Sequence, residues 1–516
     1  MPLSLMYLAN ALRAEFEPVI IDTRLTDNLE AELRKHLDSA VFVGMSVMIG
    51  NQIRFSLAVA SMVRRLAPTV PIVWGGTFPT MAARQTVADP RVDIVVRGDG
   101  EDVSRQLATA LVNGHPLGDV PSIVFQDSDG TVVESKGQGI ALPPLDGKLI
   151  PAWDMIDVSR YKDMELLASR GCGHSCSFCY VHKMHGSSWR GRSPEQVVDE
   201  IAHLITEYSA REIQFVDDNF FQKHKIVQRV AELIIERGLN IRWEATCRAS
   251  DLSIFSDDFL RIIHQSGCRE VFMGAETGSE LQLERIKKRI DVSLTETACA
   301  RAATFGIKVK TLWMIGLIGE TEADRIATAD LIDRLKRDFP NTAKISSYGI
   351  YTPYPGTPQT AEALDLGQVL PTHLDDWADY YHDNANQQYL TLSERRHLEN
   401  MMWIQRYAHG RNRNKKGLAF LVDTALHYDA RLRWKLRFFY GGFEWRLARL
   451  QYNRFVQRQL IEMFGADATP FRRASIRAEM ADTIGSAGRV TLRPLARLRA
   501  AMSGRKSGDD KDVAQP

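Results

Sequence analysis

The sequence is short of cysteine, of net charge and of long apolar runs. It has six cysteines in 516 residues and 65 basic residues against 64 acidic ones, which excludes a disulfide-rich secreted domain and gives no general attraction to nucleic acid. The amino terminus, MPLSLMYLANALRAEF, lacks the basic start of a signal peptide. No apolar run approaches the roughly 20 residues of a membrane-spanning helix. These absences predict a soluble cytoplasmic protein without a nucleic-acid partner.

Three of the six cysteines nevertheless stand close together, at Cys172, Cys176 and Cys179. Clustered cysteines in a reducing cytosol are more often metal ligands or redox groups than disulfides. Three thiolates fit three corners of a 4Fe-4S cube and leave the fourth iron open. A zinc site would need a fourth ligand, which nearby histidines could supply: His174, His182 and His185. Zinc and unligated structural cysteines therefore stay open as alternatives to a cluster.

Turn-forming residues and strand patterns divide the chain into five parts. Residues 1–125 alternate β-rich runs with helical ones, as in an open parallel α/β sheet; the runs are PVIIDT, AVFVGMS, PIVWGG and VDIVVRGDGED. Residues 126–160 are dense in turn formers and indicate a linker. Beyond the linker we expect an α/β barrel over 161–370, a helical region over 371–503 and a disordered tail over 504–516.

Six β-rich runs separated by helical patterns predict a full or partial (β/α)6 barrel: MELLASR, EIQFVDDN, IRWEATCR, EVFMGAE, VKTLWMIG and KISSYGIY. Four charged residues stand at the ends of these runs, namely Asp217, Asp218, Arg248 and Glu276. Because barrel active sites lie at the carboxyl ends of the strands, these side chains are candidates for binding. For the two aspartates the alternative is a helix cap.

The region from Arg406 to Arg458 carries many more basic than acidic residues, interleaved with aromatic ones. A basic, aromatic helix lies on an anionic membrane surface or binds an acidic partner. The alternative, which we favour, is a helical lid whose aromatic side chains form its core.

The C-x3-C-x2-C spacing with an aromatic residue before the third cysteine resembles the signature of the radical S-adenosylmethionine (SAM) enzymes. Further stretches resemble the branch of that family with an N-terminal cobalamin-binding domain: WRGRSPEQVVDEI (189–201), IQFVDDNF (213–220), GCREVFMGAETGSE (267–280), MIGLIGET (314–321) and YPGTP (354–358). The resemblance covers about residues 1–370 and is most specific at the cysteines. The absence of a second cysteine cluster disfavours the branches that carry auxiliary clusters.

The resemblance implies a chemistry and a set of SAM ligands. In such enzymes the open iron of the cluster chelates SAM, whose reductive cleavage yields a radical that abstracts hydrogen from an unactivated carbon. Phe178 would lie against the adenine, Arg248 would bind the SAM carboxylate, and Glu276 would bind the ribose hydroxyls. Asp217 and Asp218 would reach the SAM ammonium group or the ribose.

The resemblance also implies that small residues let the cofactors approach the backbone closely. In GLIGE (316–320), Gly316 and Gly319 would face the adenine. A second site, for cobalamin, is implied by three stretches that resemble the cobalamin-binding fold: GMSVMIGN (44–51), WGGTFPT (74–80) and VRGDGE (96–101). Four residues would line that site: Ser46, Gly75, Gly76 and Gly98.

The first domain departs from the cobalamin-binding pattern in two ways. The loop IDTRLTDN (21–28) has Asp22 but no histidine for the lower face of cobalt, and the only histidine in the first hundred residues is His36. The first strand found in relatives is missing before PLSLMYLANAL, so either the start codon is misassigned or the sheet is incomplete. The alternative to cobalamin binding is an α/β domain that only packs against the barrel.

These observations predict a cobalamin-dependent radical SAM enzyme containing a 4Fe-4S cluster. We expect a C-methyltransferase acting on an unactivated carbon of a small-molecule, lipid or tetrapyrrole substrate. An oxidative cyclase or rearrangement enzyme with the same cofactors is the alternative, and a sensor without turnover is an alternative of another class. The expected partners are the substrate and an electron donor such as flavodoxin or ferredoxin, and a membrane surface is the less favoured alternative for the basic region.

Overall fold

The computed structural model describes residues 1–135, 142–147, 149–410, 417–442, 458 and 460–464. The chain divides into two compact units, the first comprising Met1–Met402 and Arg458–Thr469, the second Trp403–Gln457 and Pro470–Pro516. The first unit contains both large sheets and the cysteines. The predicted tail, 504–516, lies outside the described residues.

The first sheet has the order β1-β2-β3-β4-β5, and its strands are β1 (Val43–Ser46), β2 (Ile72–Gly75), β3 (Ile94–Val96), β4 (Ile123–Gln126) and β5 (Val132–Glu134). The first three strands are parallel, whereas β4 and β5 are antiparallel. Its helices are α1 (Leu3–Leu12), α2 (Leu29–Arg34), α3 (Asn51–Leu66), α4 (Thr77–Met81), α5 (Ala83–Val87) and α6 (Glu101–Asn113). The sheet thus continues beyond the predicted domain boundary at residue 125.

The strand predicted for PVIIDT, residues 18–23, is wrong, because this segment has no regular secondary structure. A strand needs a neighbour to pair its backbone groups. β1 pairs only with β2, so this segment does not extend the sheet along the other edge of β1. The chain before it forms α1, which buries Met6 and Tyr7 completely.

The second sheet is a partial barrel of six parallel strands in the order β13-β12-β11-β10-β9-β6, which confirms the predicted α/β fold. The strands are β6 (Met164–Leu166), β9 (Glu212–Phe215), β10 (Arg242–Arg248), β11 (Cys268–Glu276), β12 (Lys308–Ile315) and β13 (Ala343–Ile350). The helices between them are α8 (Pro194–Tyr208), α9 (His224–Glu236), α10 (Ala249–Ile254), α11 (Asp257–Gln265), α12 (Glu280–Arg285), α13 (Val292–Thr304) and α14 (Glu322–Asp338).

A small antiparallel hairpin follows β6 and encloses the cysteine segment. Its strands are β7 (Ser169–Gly171) and β8 (Trp189–Gly191), with the short helix α7 (Val181–His185) between them. The predicted run MELLASR therefore contributes to two strands, β6 in the barrel and β7 in the hairpin, which are separated by residues 167–168.

The remaining described part is helical, as predicted, with α15 (Pro358–Asp365), α16 (Leu374–Trp377), α17 (Leu392–His409) and α18 (Gly417–Lys435). Within the second unit, Trp434 is 4% exposed and packs against His409 and Phe439, with ring centroids 4.7 and 5.8 Å apart. Among the described residues, no helix combines the length and the apolar character needed to cross a membrane.

Candidate functional site

The three cysteines predicted to bind the cluster lie on one loop between β7 and α7. Cys172 follows β7 directly, Cys176 is 6% exposed, and Cys179 precedes α7. Ser177, between them, donates its amide to Ile286 O at 2.9 Å and accepts the Gln359 amide at 3.1 Å. The loop is thereby held against segments that are distant in sequence.

Burial makes the bare thiols poor acids. It raises the pKa of Cys172, and it raises the pKa of Cys179 to about 12, with further increases from the other cysteines of the loop and from Asp218. Thiolates buried in this way require a cationic partner such as iron, whose binding releases the thiol protons.

A single zinc ion is the alternative to a cluster at the cysteines. Thiolates on one tetrahedral zinc stand about 3.8 Å apart, since each Zn–S bond is about 2.3 Å long. In the part of the chain that the structure describes, no three His, Cys, Asp or Glu side chains are grouped as a site for one metal ion. Three thiols on one loop fit three corners of the larger 4Fe-4S cluster.

Arg248, the last residue of β10, joins the cysteine loop to the barrel. Its side chain is buried, and Nη1 donates to Cys176 Sγ at 3.4 Å while Nη2 donates to the Lys288 carbonyl. Its Nε is buried without a partner. A guanidinium with a free donor beside the cluster loop fits an anionic group such as the carboxylate of SAM.

Glu276, the last residue of β11, lies in the same place. It has a left-handed φ of 65°, a conformation that is costly for a residue with a side chain. Its Oε1 accepts a hydrogen bond of 2.5 Å from Lys288 Nζ. The same ammonium lies 5.9 Å from the ring centroid of Phe178. Arg248, Glu276 and Phe178 thus converge around Lys288, and their roles toward SAM stay predictions.

Asp217 and Asp218 hold the cysteine segment. The Asp217 carboxylate accepts hydrogen bonds from Ser169 Oγ and, at 3.2 Å, from the Ala168 amide. Burial raises its pKa to about 7. Asp218 accepts the Gly171 amide at 2.8 Å and lies 3.7 Å from His185 Nε2. These contacts account for both aspartates structurally, and contact with SAM remains a prediction.

Gly316 and Gly319 have left-handed φ values of 76° and 70°. A Cβ on Gly316 would lie 2.8 Å from Leu398 Cδ1, and one on Gly319 would overlap Arg285. The protein's own packing therefore requires both glycines. The approach of Gly316 and Gly319 to the adenine of SAM stays a prediction.

Sequence reasoning missed three polar residues beside the cluster loop in addition to Lys288. Gln222 Oε1 lies 3.7 Å from Cys172 Sγ and accepts from Asn219 Nδ2 at 3.3 Å. Asn219 also donates to Asp251 at 3.4 Å, and its buried Oδ1 has no partner. The signal that could have found Asn219 is its place in DDNF, directly after the two aspartates that follow β9.

The four residues predicted for cobalamin lie at or just beyond the carboxyl ends of the parallel strands β1, β2 and β3: Ser46, Gly75, Gly76 and Gly98. A Cβ on Gly75 would meet only Val96, at 3.7 Å or more. Its missing side chain thus leaves room for a ligand to approach the backbone.

The neighbouring Gly76 is required by the protein itself. It has a φ of 93°, and its Cβ would lie 2.9 Å from the Val47 amide. A buried Oδ1 of Asn51, at the start of α3, has no partner and supplies a further acceptor at this edge. An open backbone and an unpaired polar atom fit the tail of a cofactor.

Buried ion pairs bring this edge of the first sheet to the cysteine hairpin. Arg170 of β7 binds Glu101 at 2.6 Å and Asp99 at 3.0 Å, and Arg190 of β8 binds Asp99 at 2.9 Å. Both acidic residues closely follow Gly98, and both are buried. In addition, α4 packs against α7. The cobalamin candidates therefore lie beside the cluster loop.

Two family models match the chain. The radical SAM superfamily model matches residues 166–332, and the B12 binding domain model matches residues 1–108. They confirm the predicted SAM and cobalamin cofactors, and the cysteines of the matched radical SAM segment are those expected to bind the 4Fe-4S cluster.

Curated relatives and solved structures agree. The chain is 30% identical to an uncharacterised methyltransferase of Pyrococcus horikoshii over 69% of this chain and 77% of the relative. It is 25% identical to the anaerobic magnesium-protoporphyrin IX monomethyl ester cyclase of Rubrivivax gelatinosus over 72% and 67%, respectively.

Two solved structures share the fold. The methyltransferase TsrM from Kitasatospora setae, with cobalamin and a 4Fe-4S cluster bound, has a TM-score of 0.60 at 21% identity, covering 71% of this chain and 76% of that one. The cobalamin-dependent SAM radical enzyme OxsB has a TM-score of 0.66 at 16% identity, covering 97% and 77%. With the cysteine loop and the two matched domains, these likenesses identify the chain as a member of the cobalamin-binding radical SAM enzyme family.

Proposed function

We propose that this enzyme is a cobalamin-dependent C-methyltransferase. The observation that carries the proposal is the set of buried ion pairs that joins the strand ends of the first sheet to the cysteine hairpin. A methyl-carrying cofactor and a radical-generating site must lie side by side for such a transfer. Several relatives are named as methyltransferases, among them a cytidylyl-2-hydroxyethylphosphonate methyltransferase, a hopanoid C-3 methylase and a bacteriochlorophyllide d methyltransferase.

When bound, the cluster with SAM supplies hydrogen abstraction and cobalamin supplies the methyl group. The protein's part is to bind and orient these cofactors and to exclude water from them. The cysteine loop would hold the iron, Arg248 the SAM carboxylate, Glu276 the ribose and Phe178 the adenine. Asp217 and Asp218 would hold the segment before Cys172 through their hydrogen bonds to it, in addition to any contact with SAM.

The first domain would hold cobalamin through its backbone at Gly75 and without a histidine on cobalt. His36 precedes β1 and pairs with Glu32 at 3.4 Å, whereas the candidate residues follow the strands. The residues at this edge would hold cobalamin without supplying a nitrogen ligand to its cobalt. Electron paramagnetic resonance of the Co(II) form tests this feature, since a nitrogen ligand would split each cobalt line into three.

The substrate is an unactivated carbon in a small molecule, a lipid or a tetrapyrrole. The relatives named as methyltransferases act on different substrates, so the family does not specify one. A cyclase is the second candidate, because one relative is a tetrapyrrole ester cyclase. Transfer of label from methyl-labelled SAM to product would support the methyltransferase, and label-free product with 5′-deoxyadenosine would support the cyclase. Absence of 5′-deoxyadenosine after reduction would indicate a sensor.

We also propose that a small acidic electron carrier, such as flavodoxin or ferredoxin, docks at the cysteine loop. Gly173 and Ser175 at the tip of this loop are exposed, as are the basic residues Lys287 and Arg289. Arg289 is near enough to contribute to the lowered pKa of His174, which burial and neighbouring cations bring to about 4. Charge reversal at Lys287 and Arg289 should slow cluster reduction by flavodoxin but not by dithionite. Equal slowing with both reductants would contradict the docking site.

For the second unit, contact with an anionic membrane is the alternative to the favoured helical lid. On α18, Leu421, Tyr428 and Leu432 are 62%, 63% and 58% exposed, and the basic residues Arg431 and Lys435 are exposed near them. Sedimentation with phosphatidylglycerol vesicles, but not with phosphatidylcholine vesicles, would support membrane contact. No sedimentation with either would favour the helical lid.

All six cysteines are free, which supports the proposed cytoplasmic location.

A further inference from the structure

Lys288 is a buried lysine in a strained segment. It is 5% exposed, although its neighbours Lys287 and Arg289 are exposed. Both neighbours have left-handed φ values, 53° and 55°, which are disfavoured for residues with a Cβ. This alternation turns Lys288 inward while the two flanking side chains point to solvent. Strain of this kind accumulates where geometry serves a function.

The Lys288 side chain reaches the place where the candidate SAM ligands meet. Its ammonium donates to Glu276 Oε1 at 2.5 Å and lies 5.9 Å from the Phe178 ring centroid. Its carbonyl accepts a hydrogen bond from Arg248. The residue therefore contacts all three side chains that the family resemblance assigns to SAM.

The strand beside Lys288 leaves room for this ion pair. A Cβ on Gly274 of β11 would overlap the Glu276 Oε1 position and lie 2.8 Å from Lys288 Nζ. Gly274 does not have a left-handed φ, so the backbone itself does not demand glycine there. The space above Gly274 is thus needed by the Glu276–Lys288 pair.

A role in stability alone explains this arrangement poorly. A buried ion pair is weak evidence for stability, because desolvation of the two charges offsets their attraction. The pair does, however, hold one carboxylate oxygen and leave the other available. Within the described part of the chain, the structure gives the Glu276 carboxylate a hydrogen bond only from Lys288, through Oε1.

We propose that Lys288 is a positioning residue for SAM. Its ammonium holds the Glu276 carboxylate so that the other oxygen, Oε2, accepts hydrogen bonds from the ribose hydroxyls. Its carbonyl at the same time steadies the Arg248 guanidinium for the SAM carboxylate. This inference rests on the proposed roles of Glu276 and Arg248. It makes recognition of the nucleoside half of SAM depend on a residue outside the recognised motifs.

The test compares Lys288→Met with Lys287→Met in the anaerobically reconstituted full chain. The two positions are adjacent and carry the same side chain, but only one is buried. Titration calorimetry with SAM should show affinity weakened tenfold or more in Lys288→Met, the loss expected for a charge-assisted contact, and unchanged in Lys287→Met. Binding of methionine, which lacks the ribose, should change less than that of SAM. Iron content should be unchanged in both variants.

Coupling to Glu276 provides the second readout. Lys288→Met should add little to the loss caused by Glu276→Gln, because both changes disrupt one contact. Lys288→Arg, which keeps the charge, should retain more affinity than Lys288→Met and serves if the methionine variant does not fold. Unchanged SAM affinity in Lys288→Met, or equal loss in Lys287→Met, would overturn the inference. If Glu276→Gln still weakens SAM binding in that case, the proposed SAM site stands. If the wild-type protein itself binds no SAM, the proposed function fails.

Discussion

Gly274→Ala should weaken SAM binding while leaving the fold intact. The added methyl group would overlap Glu276 Oε1 and approach Lys288 Nζ to 2.8 Å. Both atoms are the ends of flexible side chains, so they move away without displacement of the strand. The φ of Gly274 is not left-handed, and alanine therefore adopts the same backbone. The perturbation acts on the ion pair and on little else.

The expected loss of SAM affinity follows from the hydrogen bond between Lys288 and Glu276 that the added methyl group disrupts. Van der Waals separation requires the carboxylate to retreat by about 1 Å, which breaks or bends the hydrogen bond that Glu276 accepts from Lys288 at 2.5 Å. A hydrogen bond to a charged group contributes about 1.5–3 kcal/mol. If that contact positions Glu276 for the ribose, SAM affinity should fall by about 10- to 150-fold.

The assay is SAM titration at matched iron content, with Gly349→Ala as the control. Gly349 belongs to β13 of the same sheet, and its Cβ would meet only His382 and Trp313, at 3.7 Å or more. The control should bind SAM like the wild-type protein. A Gly274→Ala protein with full iron content and SAM affinity within twofold of the wild type would refute the placement of this pair in the SAM site.

Three further outcomes are expected. Alanine at all three motif cysteines should give colourless protein with little iron after anaerobic reconstitution, and retention of about four irons would contradict the cluster assignment. Gly75→Ala should lower cobalamin retention with little change in thermal stability. Gly76→Ala should instead destabilise the protein by about 1–3 kcal/mol, because its φ is 93° and its Cβ would lie 2.9 Å from the Val47 amide. The reverse pattern would contradict the placement of cobalamin at the strand ends of the first sheet. Burial raises the pKa of Glu320 from 4.5 to about 8, so the folded state holds the extra proton and loses stability as pH rises through that interval. Glu320→Gln should therefore gain roughly 2–4 °C in Tm relative to wild type between pH 6 and pH 9, and a difference independent of pH would refute this account.

The cysteine spacing and the alternation of strands and helices could be predicted from the sequence because both are local properties. Cys172, Cys176 and Cys179 lie within one loop whatever surrounds them, and the period of apolar residues specified all six barrel strands. The charged residues that end those strands, Arg248 and Glu276, followed from the same rule, since parallel strands bring their carboxyl ends to one edge.

Pairing and convergence were decided by the tertiary structure. The run at residues 18–23 has the composition of a strand, but it does not pair with the free edge of β1, and a strand exists only when its backbone pairs with a neighbour. Asp217 and Asp218 read as ligands from their position, yet their hydrogen bonds to the segment before Cys172 could be seen only in three dimensions.

The same distinction explains why Lys288 escaped the sequence analysis. In IKKRI it is one of three consecutive basic residues, and composition places all three in solvent. Only the left-handed backbone at Lys287 and Arg289 turns the middle side chain toward Glu276, 12 positions earlier in the chain. The sequence by itself indicated the cysteine site and the succession of strands and helices along the chain, because these depend on local spacing and periodicity. The tertiary structure decided which charges meet, because a buried ion pair depends on the path of the backbone between its partners.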